Sequence, residues 1–234
     1  ISIGLVGSEM CIRDRPHPSR RSLKTRKALL TAGVNLLATR SIDAISIDEL
    51  VQAANVAKGT FFNHFEDKQK FGELIARQIR TEMERHVTVI NAEIDDPAER
   101  LVRGICLFIA LALDDPKRAT ILLRGHEWAT EKDNPLNAGL YADLRRGVES
   151  GRFCCSALDG GIAFVTGIGS MAVVQILGQG LDRKAAAARA QSLLYMTLLG
   201  LNVSEIDAAA ISQKTVEALL FAPEGAVQLS LIHI

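Results

Sequence analysis

The sequence has few of the residues that mark disulfide frameworks, zinc sites or β-sheets. Cysteine occurs four times, proline six times, and aromatic residues make up only 5% of the 234 positions. Cys11, Cys106, Cys154 and Cys155 are too few for a disulfide scaffold and lack the spaced pairs that bind zinc. The adjacent Cys154 and Cys155 have two interpretations that the sequence leaves open. They form a metal or redox site, or they are two small residues in a turn. This usage is typical of a reducing compartment, so we expect a cytoplasmic protein without metal or cofactor.

The patterns of common enzyme classes are also missing from the sequence. His126-Glu127 has no second histidine four residues after the first, so it does not form the helix of a zinc protease. Gly167-Ile168-Gly169 follows no predicted strand and lacks the third glycine of a dinucleotide-binding loop. There is no phosphate-binding Walker loop and no serine nucleophile elbow. We therefore expect no catalytic residues and no enzymatic activity.

The sequence has no net charge, but the two signs are unevenly distributed. Lysine and arginine total 27, as do aspartate and glutamate. From Arg15 to Arg80 there are 12 basic and 6 acidic residues, whereas from Thr81 to Ile234 there are 14 basic and 19 acidic ones. Such asymmetry favours a basic module that faces nucleic acid, joined to an acidic second part.

The remaining composition favours helices throughout the chain. Alanine, leucine, arginine and glutamate recur with helical spacing, so we predict an all-α fold of about nine helices. The sharpest helix start is Ser46, which forms a capping box with Glu49. Proline and turn residues separate the later helices. The predicted helical segments are 22–39, 46–54, 58–64, 67–93, 98–113, 117–131, 136–150, 159–179, 182–201 and 204–221.

The two ends are interpreted as foreign to the rest of the chain. Residues 1–15 and 229–234 resemble translated sequencing-adapter read-through, so both are kept out of the fold prediction as non-native segments. A secretory signal is the alternative for the start. It is disfavoured because no basic residue precedes the short apolar run.

Residues 46–64 have the pattern helix, tight turn, short helix, which is that of a helix-turn-helix. In this motif the second helix enters the DNA major groove and presents its N-terminal residues to base edges. The groups that the short helix offers to DNA belong to Lys58, Gly59, Thr60, Asn63 and His64. The alternatives to DNA contact are that Asn63 is only solvated and that His64 only packs or caps the helix. Phe61 and Phe65 are expected in the core.

The segment from Thr25 to about Ala76 resembles the DNA-binding domain of the tetracycline-repressor (TetR) family of transcriptional regulators. The resemblance is carried above all by the block Val-Ala-Lys-Gly-Thr-Phe-Phe-Asn-His-Phe-Glu-Asp-Lys over residues 56–68. It implies contacts to bases or backbone for Lys58, Gly59 and Asn63. The phosphate contacts that it implies belong to Thr25, Ser46, Thr60 and Lys68, and Phe62 and His64 complete the predicted DNA-binding set.

Three positions depart from the family pattern. Phe62 stands where the family usually has a tyrosine whose hydroxyl reaches a phosphate, so we expect that contact to be lost. Ala57 replaces the usual serine or threonine and removes a helix cap worth about 1 kcal/mol. Ser41 occupies a position where a turn glycine is common. We expect DNA binding to survive these changes.

The resemblance also divides the chain into domains. It implies a three-helix DNA-binding domain over residues 16–66 and a helical ligand-binding and dimerisation domain over 67–222, followed by a tail over 223–234. A cluster of basic residues could form an N-terminal arm that contacts phosphates or the minor groove, and a solvated tail is the alternative. The cluster consists of Arg15, Arg20, Arg21, Lys24, Arg26 and Lys27.

The 22 residues between Asp159 and Asp182 carry no charge and are numerous enough for a transmembrane helix. Six glycines, several polar residues and the lack of flanking aromatic residues argue against a membrane span. A strip of small residues on this segment instead predicts close approach to another helix. The resemblance implies that this helix and the next one, from each of two protomers, form a four-helix dimer interface. The predicted interface residues are Ala163, Gly167, Ser170, Val174, Leu194 and Leu198.

A ligand pocket is expected inside the bundle of residues 98–180, with three polar groups that orient the ligand, His126, Trp128 and Gln175. The other predicted lining residues are Ile105, Phe108, Ile109, Leu122, Tyr141, Phe164 and Met171. The prediction is a homodimeric repressor that a small molecule releases from a palindromic operator in double-stranded DNA. The alternative is a DNA-binding dimer without an inducer, controlled by a protein partner or by its abundance.

Overall fold

The computed structural model describes residues 20–125, 137–154 and 157–221. Within these ranges the chain forms ten α-helices and a 3-10 turn at Ile42–Ala44, with no strand. The all-α prediction is confirmed. The estimate of about nine helices is one too low, because each of the ten predicted segments forms a separate helix. The helices are α1 Arg20–Leu37, α2 Ile47–Ala53, α3 Lys58–Phe62, α4 Lys68–Ile90, α5 Pro97–Asp114, α6 Pro116–Arg124, α7 Ala138–Glu149, α8 Ala157–Gln179, α9 Arg183–Gly200 and α10 Glu205–Leu220.

The first three helices and the start of α4 share an aromatic core. Phe61 of α3 is completely buried, and its ring centroid lies 5.4 Å from that of Phe65 and 5.5 Å from that of Phe71. Ring pairs at such distances contribute roughly 0.5–1.5 kcal/mol beyond the burial of their area. The guanidinium of Arg26 in α1 lies over the Phe65 ring, 5.5 Å from its centroid. These contacts fix α3 against α1 and α4.

The turn between α2 and α3 depends on a left-handed residue. Asn55 has a φ of 52°, a conformation that asparagine adopts more readily than most residues. The N–H of Val56 then donates to the carbonyl of Val51 at 2.9 Å, which closes the end of α2. Ala57 is the N-cap of α3 and makes no side-chain capping bond, so the first N–H groups of α3 lack that partner.

The second half of the chain is a bundle arranged around α5. This helix packs against α6, α7, α8, α9 and α10, and its side chains Leu107, Ile109 and Leu111 are almost completely buried. The long α4 contributes to both cores of the protein. Its Phe71, Ile75 and Ile79 lie in the aromatic core, whereas Met83 lies in the core of the bundle.

The uncharged helix α8 is part of this bundle. Its stretch Gly160–Gln179 is long and apolar enough to cross a membrane by length and composition. It nevertheless packs against α5, α6, α7 and α9 and buries Val165, Ala172 and Val173 among them. Burial of this kind is typical of a core helix in a helical bundle.

Candidate DNA-binding surface and ligand cavity

The start of α2 is held by a closed set of hydrogen bonds. The N–H of Glu49 donates to Ser46 Oγ at 3.1 Å, and the N–H of Ser46 donates to Glu49 Oε2 at 2.9 Å, so the predicted capping box is confirmed. Sequence reasoning missed a further member, Arg40, whose Nη2 donates to Glu49 Oε1 at 2.8 Å. Hydrogen bonds lower the pKa of Glu49 to about 2. The largest effect comes from the backbone N–H of Ser46, followed by Arg40 and the Ser46 hydroxyl.

This depressed pKa predicts a pH-dependent stability. Ionised Glu49 is favoured in the folded state, so its contribution is present above the ordinary pKa of 4.5 and is lost as the pH falls towards about 2. We expect Glu49→Gln to melt at a lower temperature than the wild type at pH 7, and the difference to narrow at pH 3. Thermal unfolding of both proteins between pH 3 and pH 7 measures this difference in melting temperature. A difference that stays constant would contradict the prediction.

Helix α3 presents an open polar surface at its N-terminal end. Lys58 Nζ lies 2.8 Å from Asp48 Oδ1, and both side chains are more than half exposed. Gly59 is exposed, and a Cβ atom built on it would meet no other atom within 4 Å. Thr60 is half-buried, and Asn63 is exposed as the C-cap of the helix. A groove of DNA could therefore approach the backbone of α3 closely.

Two ring side chains at the end of α3 differ in their surroundings. Phe62 is 52% exposed and stands edge-on to Phe61, with 5.5 Å between the ring centroids. His64 is half-buried, and its ring centroid lies 6.1 Å from that of Phe65. His64 therefore packs against the core, while a phosphate contact from its exposed edge stays a prediction.

Two residues expected to bind phosphates also make bonds inside the domain. Lys68 Nζ donates to the backbone carbonyls of Asp43 and Ile45, each at 3.0 Å. These bonds join the start of α4 to the 3-10 turn, and they leave one of the three ammonium hydrogens for another acceptor. Thr25 Oγ1 donates to the carbonyl of Arg21 at 3.0 Å. The motif could not reveal the Lys68 bonds, because their acceptors lie more than 20 residues away.

A cavity of about 120 Å³ lies among α4, α5, α6, α7 and α8. Most of its wall is apolar, with polar groups from α8 and from charged residues of α4, α5 and α7. The lining residues are Arg80, Met83, Glu84, Val87, Arg100, Leu101, Gly104, Ile105, Phe108, Leu122, Leu140, Asp143, Val165, Thr166, Gly169 and Ser170. An apolar chamber with a few placed polar groups is the usual form of a small-molecule site.

The charged residues of the cavity form two ion pairs. Arg80 Nη2 lies 2.9 Å from Glu84 Oε1 on α4, and Arg100 Nε donates to Asp143 Oδ1 at 2.6 Å across α5 and α7. Burial raises the pKa of Glu84 in spite of the neighbouring Arg80. Sequence reasoning missed all four residues, because a charged side chain on an amphipathic helix normally indicates the solvated face.

The short helix α6 contacts both the cavity and the DNA-binding domain. Leu122 lines the cavity, while the preceding Ile121 is buried in the aromatic core of the DNA-binding domain. Two polar contacts join α6 to α1. Lys117 Nζ donates to Asn35 Oδ1 at 2.6 Å, and Arg124 Nη1 donates to the carbonyl of Leu37. Together with α4, α6 therefore links the cavity physically to the helix-turn-helix.

Both parts of the chain match known family models. Residues 29–73 match the N-terminal model of the bacterial regulatory proteins of the tetR family, and residues 96–214, half of the chain, match the model of the tetracyclin repressor-like C-terminal domain. The chain belongs to the TetR family. Its N-terminal part is the helix-turn-helix domain of this family, as the resemblance of its recognition block predicted, and the members of the family are transcriptional regulators, not enzymes.

Two transcriptional regulators of other bacteria are similar to parts of this chain. The transcriptional repressor DhaR of Mycobacterium sp. (strain GP1) is 26% identical over 89 residues, which cover 38% of this chain and 43% of that protein. The transcriptional regulator AcuR of Cereibacter sphaeroides is 32% identical over 60 residues, which cover 26% of this chain and 27% of AcuR. The chain thus spans less than half the length of these relatives.

Solved structures share the fold over most of the chain. RolR in complex with its ligand resorcinol aligns with a TM-score of 0.56 at 24% identity, covering 83% of this chain and 95% of RolR. A gamma-butyrolactone receptor aligns with a TM-score of 0.64 at 16% identity, covering 84% of this chain and 98% of that one. At these identities the likeness shows the fold alone.

Three residues predicted to line the pocket of this TetR-family chain, Ile105, Phe108 and Leu122, do line the cavity. Ile109 does not, because its side chain is completely buried in the helical core. Tyr141 follows the lining residue Leu140 but is not part of the wall itself. His126 and Trp128 lie outside the residues that the structure describes.

Three pocket candidates on α8 lie away from the cavity wall. Phe164 is 38% exposed and rests on Gly200 of α9, where a Cβ atom would come within 2.8 Å of its ring. Met171 is 56% exposed. Gln175 Oε1 accepts from Arg189 Nη1 at 2.7 Å, so it joins α8 to α9. The bundle turns a different face of α8, with Val165, Thr166, Gly169 and Ser170, towards the cavity.

The predicted dimer residues separate into two groups. Ala163, Gly167 and Val174 are exposed along α8. Ser170 lines the cavity instead, and Leu194 and Leu198 of α9 are completely buried within their own bundle. Assigning these two leucines to a surface contact was wrong, since they lie on the side of α9 that packs against the bundle core. The exposed side of α9 carries Met196, which is 62% exposed.

Proposed function

We propose that this regulator is a cytoplasmic homodimeric repressor, released from a palindromic operator by a small molecule that enters the cavity. The observation that carries the proposal is the open N-terminal end of α3 on a helix-turn-helix of this family. Lys58, Thr60 and Asn63 supply a cation, a hydroxyl and an amide at that end. These groups can bind phosphates and base edges in the major groove.

The proposed dimer uses an exposed apolar face, formed by Ala163, Phe164, Gly167, Met171, Val174 and Met196 of α8 and α9. We call it the α8–α9 face. Small residues let a partner helix approach, and the exposed methionines and Val174 supply apolar surface to bury. A two-fold axis through this face gives each dimer two α3 helices. Two such helices can read half-sites about 34–36 Å apart on the same side of DNA.

The proposed release uses the two helices that reach both sites. A ligand in the cavity contacts Met83 and Val87 of α4 and Leu122 of α6, while Phe71 and Ile121 of the same helices lie in the aromatic core beneath α3. Displacing either helix changes the spacing of the two α3 helices in the dimer. Couplings of this kind are worth about 1–3 kcal/mol, or several-fold to roughly a hundredfold in affinity. The resorcinol complex of RolR, a protein of the same fold, supports a ligand-binding role for the bundle.

The DNA assignment is tested by a pair of alanine substitutions. Gly59 and Gly139 are both exposed glycines at the second position of a helix, and a Cβ atom at either would meet no atom within 4 Å. Alanine at either position should keep or raise stability, by up to about 1 kcal/mol. Only Gly59→Ala should weaken operator binding, at least tenfold, because DNA approaches that backbone closely.

Selection from random double-stranded DNA identifies the operator, and gel retardation then compares the wild type and the two variants. We expect the wild type to enrich a two-fold symmetric sequence. Equal operator affinity for Gly59→Ala and Gly139→Ala would contradict a DNA contact at α3. Failure of the wild type to enrich any sequence would contradict the repressor assignment as a whole.

A further inference from the structure

The exposed face of α3 carries one large apolar side chain, that of Phe62. Lys58 and Gly59 lie one turn before it, and Asn63 lies directly after it. Residues three and four positions apart share a face of a helix, so these side chains are neighbours. All four residues are exposed, whereas Phe61 on the opposite side is completely buried. The ring of Phe62 therefore lies among the groups that are proposed to enter the major groove.

The position of the Phe62 ring is restricted by the core beneath it. The side chain is 52% exposed and stands edge-on to Phe61, with 5.5 Å between the ring centroids. Edge-on pairing is a favoured geometry for aromatic rings, so this contact limits where the exposed ring can lie. Single exposed apolar side chains are common on protein surfaces. Phe62 differs from them because it lies on the helix that is proposed to read DNA.

The major groove offers an apolar ring one distinctive partner. Thymine presents its C5 methyl group there, whereas the other three bases present hydrogen-bond donors and acceptors. The side chain of phenylalanine has no polar atom, so Phe62 cannot donate a hydrogen bond to a phosphate. Contact between the ring and the methyl group removes apolar surface of both from water, which is favourable. Phe62 is therefore suited to distinguish thymine from the other bases.

We propose that Phe62 packs against the C5 methyl group of a thymine in each half-site of the operator and so contributes to the choice of sequence. This inference rests on the proposed DNA-binding function and assigns base recognition to one residue of it. Lys58 and Asn63 carry polar groups that suit phosphates as well as base edges. The apolar ring gains nothing comparable from a charged phosphate, so its contribution depends on the base.

Replacing thymine by deoxyuridine in the selected operator tests the contact, because deoxyuridine lacks only the methyl group. The replacement is made at one thymine position at a time, in both half-sites together, and gel retardation measures the affinity. Burial of one methyl group is worth about fourfold in affinity, so loss of one in each half-site should weaken binding by the wild type roughly tenfold. We expect this loss at one thymine position of each half-site. A selected operator without thymine in its half-sites would overturn the proposal.

Three variants assign the effect to the Phe62 ring. Phe62→Ala should weaken binding of the thymine operator and should bind the thymine and uracil operators equally well. Phe62→Tyr keeps the ring and should keep the preference for thymine. Phe221→Ala is the matched control, since Phe221 at the end of α10 is 53% exposed and lies in the other domain. It should leave both the affinity and the preference unchanged. A Phe62→Ala variant that still prefers thymine would refute the assigned contact.

The outcomes separate the thymine contact from the proposed function. If the wild type enriches a two-fold symmetric sequence and binds its uracil forms equally well, the regulator stands and the thymine contact is wrong. If Phe62→Ala weakens the thymine and uracil operators by the same factor, the ring contacts only the DNA backbone and the base contact is wrong. If the wild type enriches no sequence, the proposed function fails, and the thymine contact fails with it.

Discussion

Replacing Phe61 with alanine is expected to lower the free energy of unfolding by about 3–5 kcal/mol and to abolish operator binding. Phe61 is completely buried, and its ring contacts those of Phe65 and Phe71. Its removal leaves a cavity beneath α3, so the recognition helix loses its support. Thermal unfolding and gel retardation of the same preparation measure the two effects.

The neighbouring Phe62→Ala is the matched control for this substitution. The Phe62 side chain is 52% exposed, and its ring stands edge-on to that of Phe61. Its loss should change stability by no more than about 1 kcal/mol. Equal destabilisation by the two substitutions would show that the aromatic core does not hold α3 in place.

A double substitution in the α8–α9 face, Met171→Glu with Met196→Glu, is expected to convert the dimer to monomers. Both side chains are more than half exposed in the protomer, so the fold should be retained. In the dimer, however, unpaired carboxylates would be buried, which costs several kcal/mol for each charge. Because one α3 helix reads only one half-site, operator affinity should fall at least a hundredfold.

Ile206→Glu provides the control for the dimer prediction. Ile206 of α10 is 83% exposed and lies outside the α8–α9 face, so a new charge there should leave both assembly and operator binding unchanged. Analytical ultracentrifugation gives the mass in solution, and gel retardation gives the affinity. A double variant that sediments as a dimer would place the interface elsewhere on the molecule.

What could be predicted from the sequence is mainly local. The Ser46–Glu49 capping box joins residues three positions apart, so the pattern alone reveals it. The recognition helix follows from a contiguous block of residues. Lys68 shows the limit, since its two acceptors come from a turn more than 20 residues away and only the folded chain brings them together.

The bundle was harder to predict because several of its helices are apolar on more than one side. On α9, both Leu194 and Met196 are apolar, and nothing in the pattern states which one faces the core. The cavity shows the opposite problem. Glu84 and Asp143 look like solvated surface in the sequence, yet the packing of α4 and α7 against α5 places both in the cavity wall.

The adjacent positions of Ile121 and Leu122 have a consequence for how effector specificity can evolve. Leu122 lines the cavity and also packs against the aromatic core in which Ile121 is buried, so under the proposed function a displacement of α6 reaches both sites at once. Other lining residues, such as Phe108, Leu140 and Ser170, lie on α5, α7 and α8, which contribute no residue to the aromatic core among the described residues. Mutations there could therefore retune which metabolite is sensed while the output remained intact. Substitution of Ile121 would instead weaken one of the two connections, so the effector would still bind but would change operator affinity less.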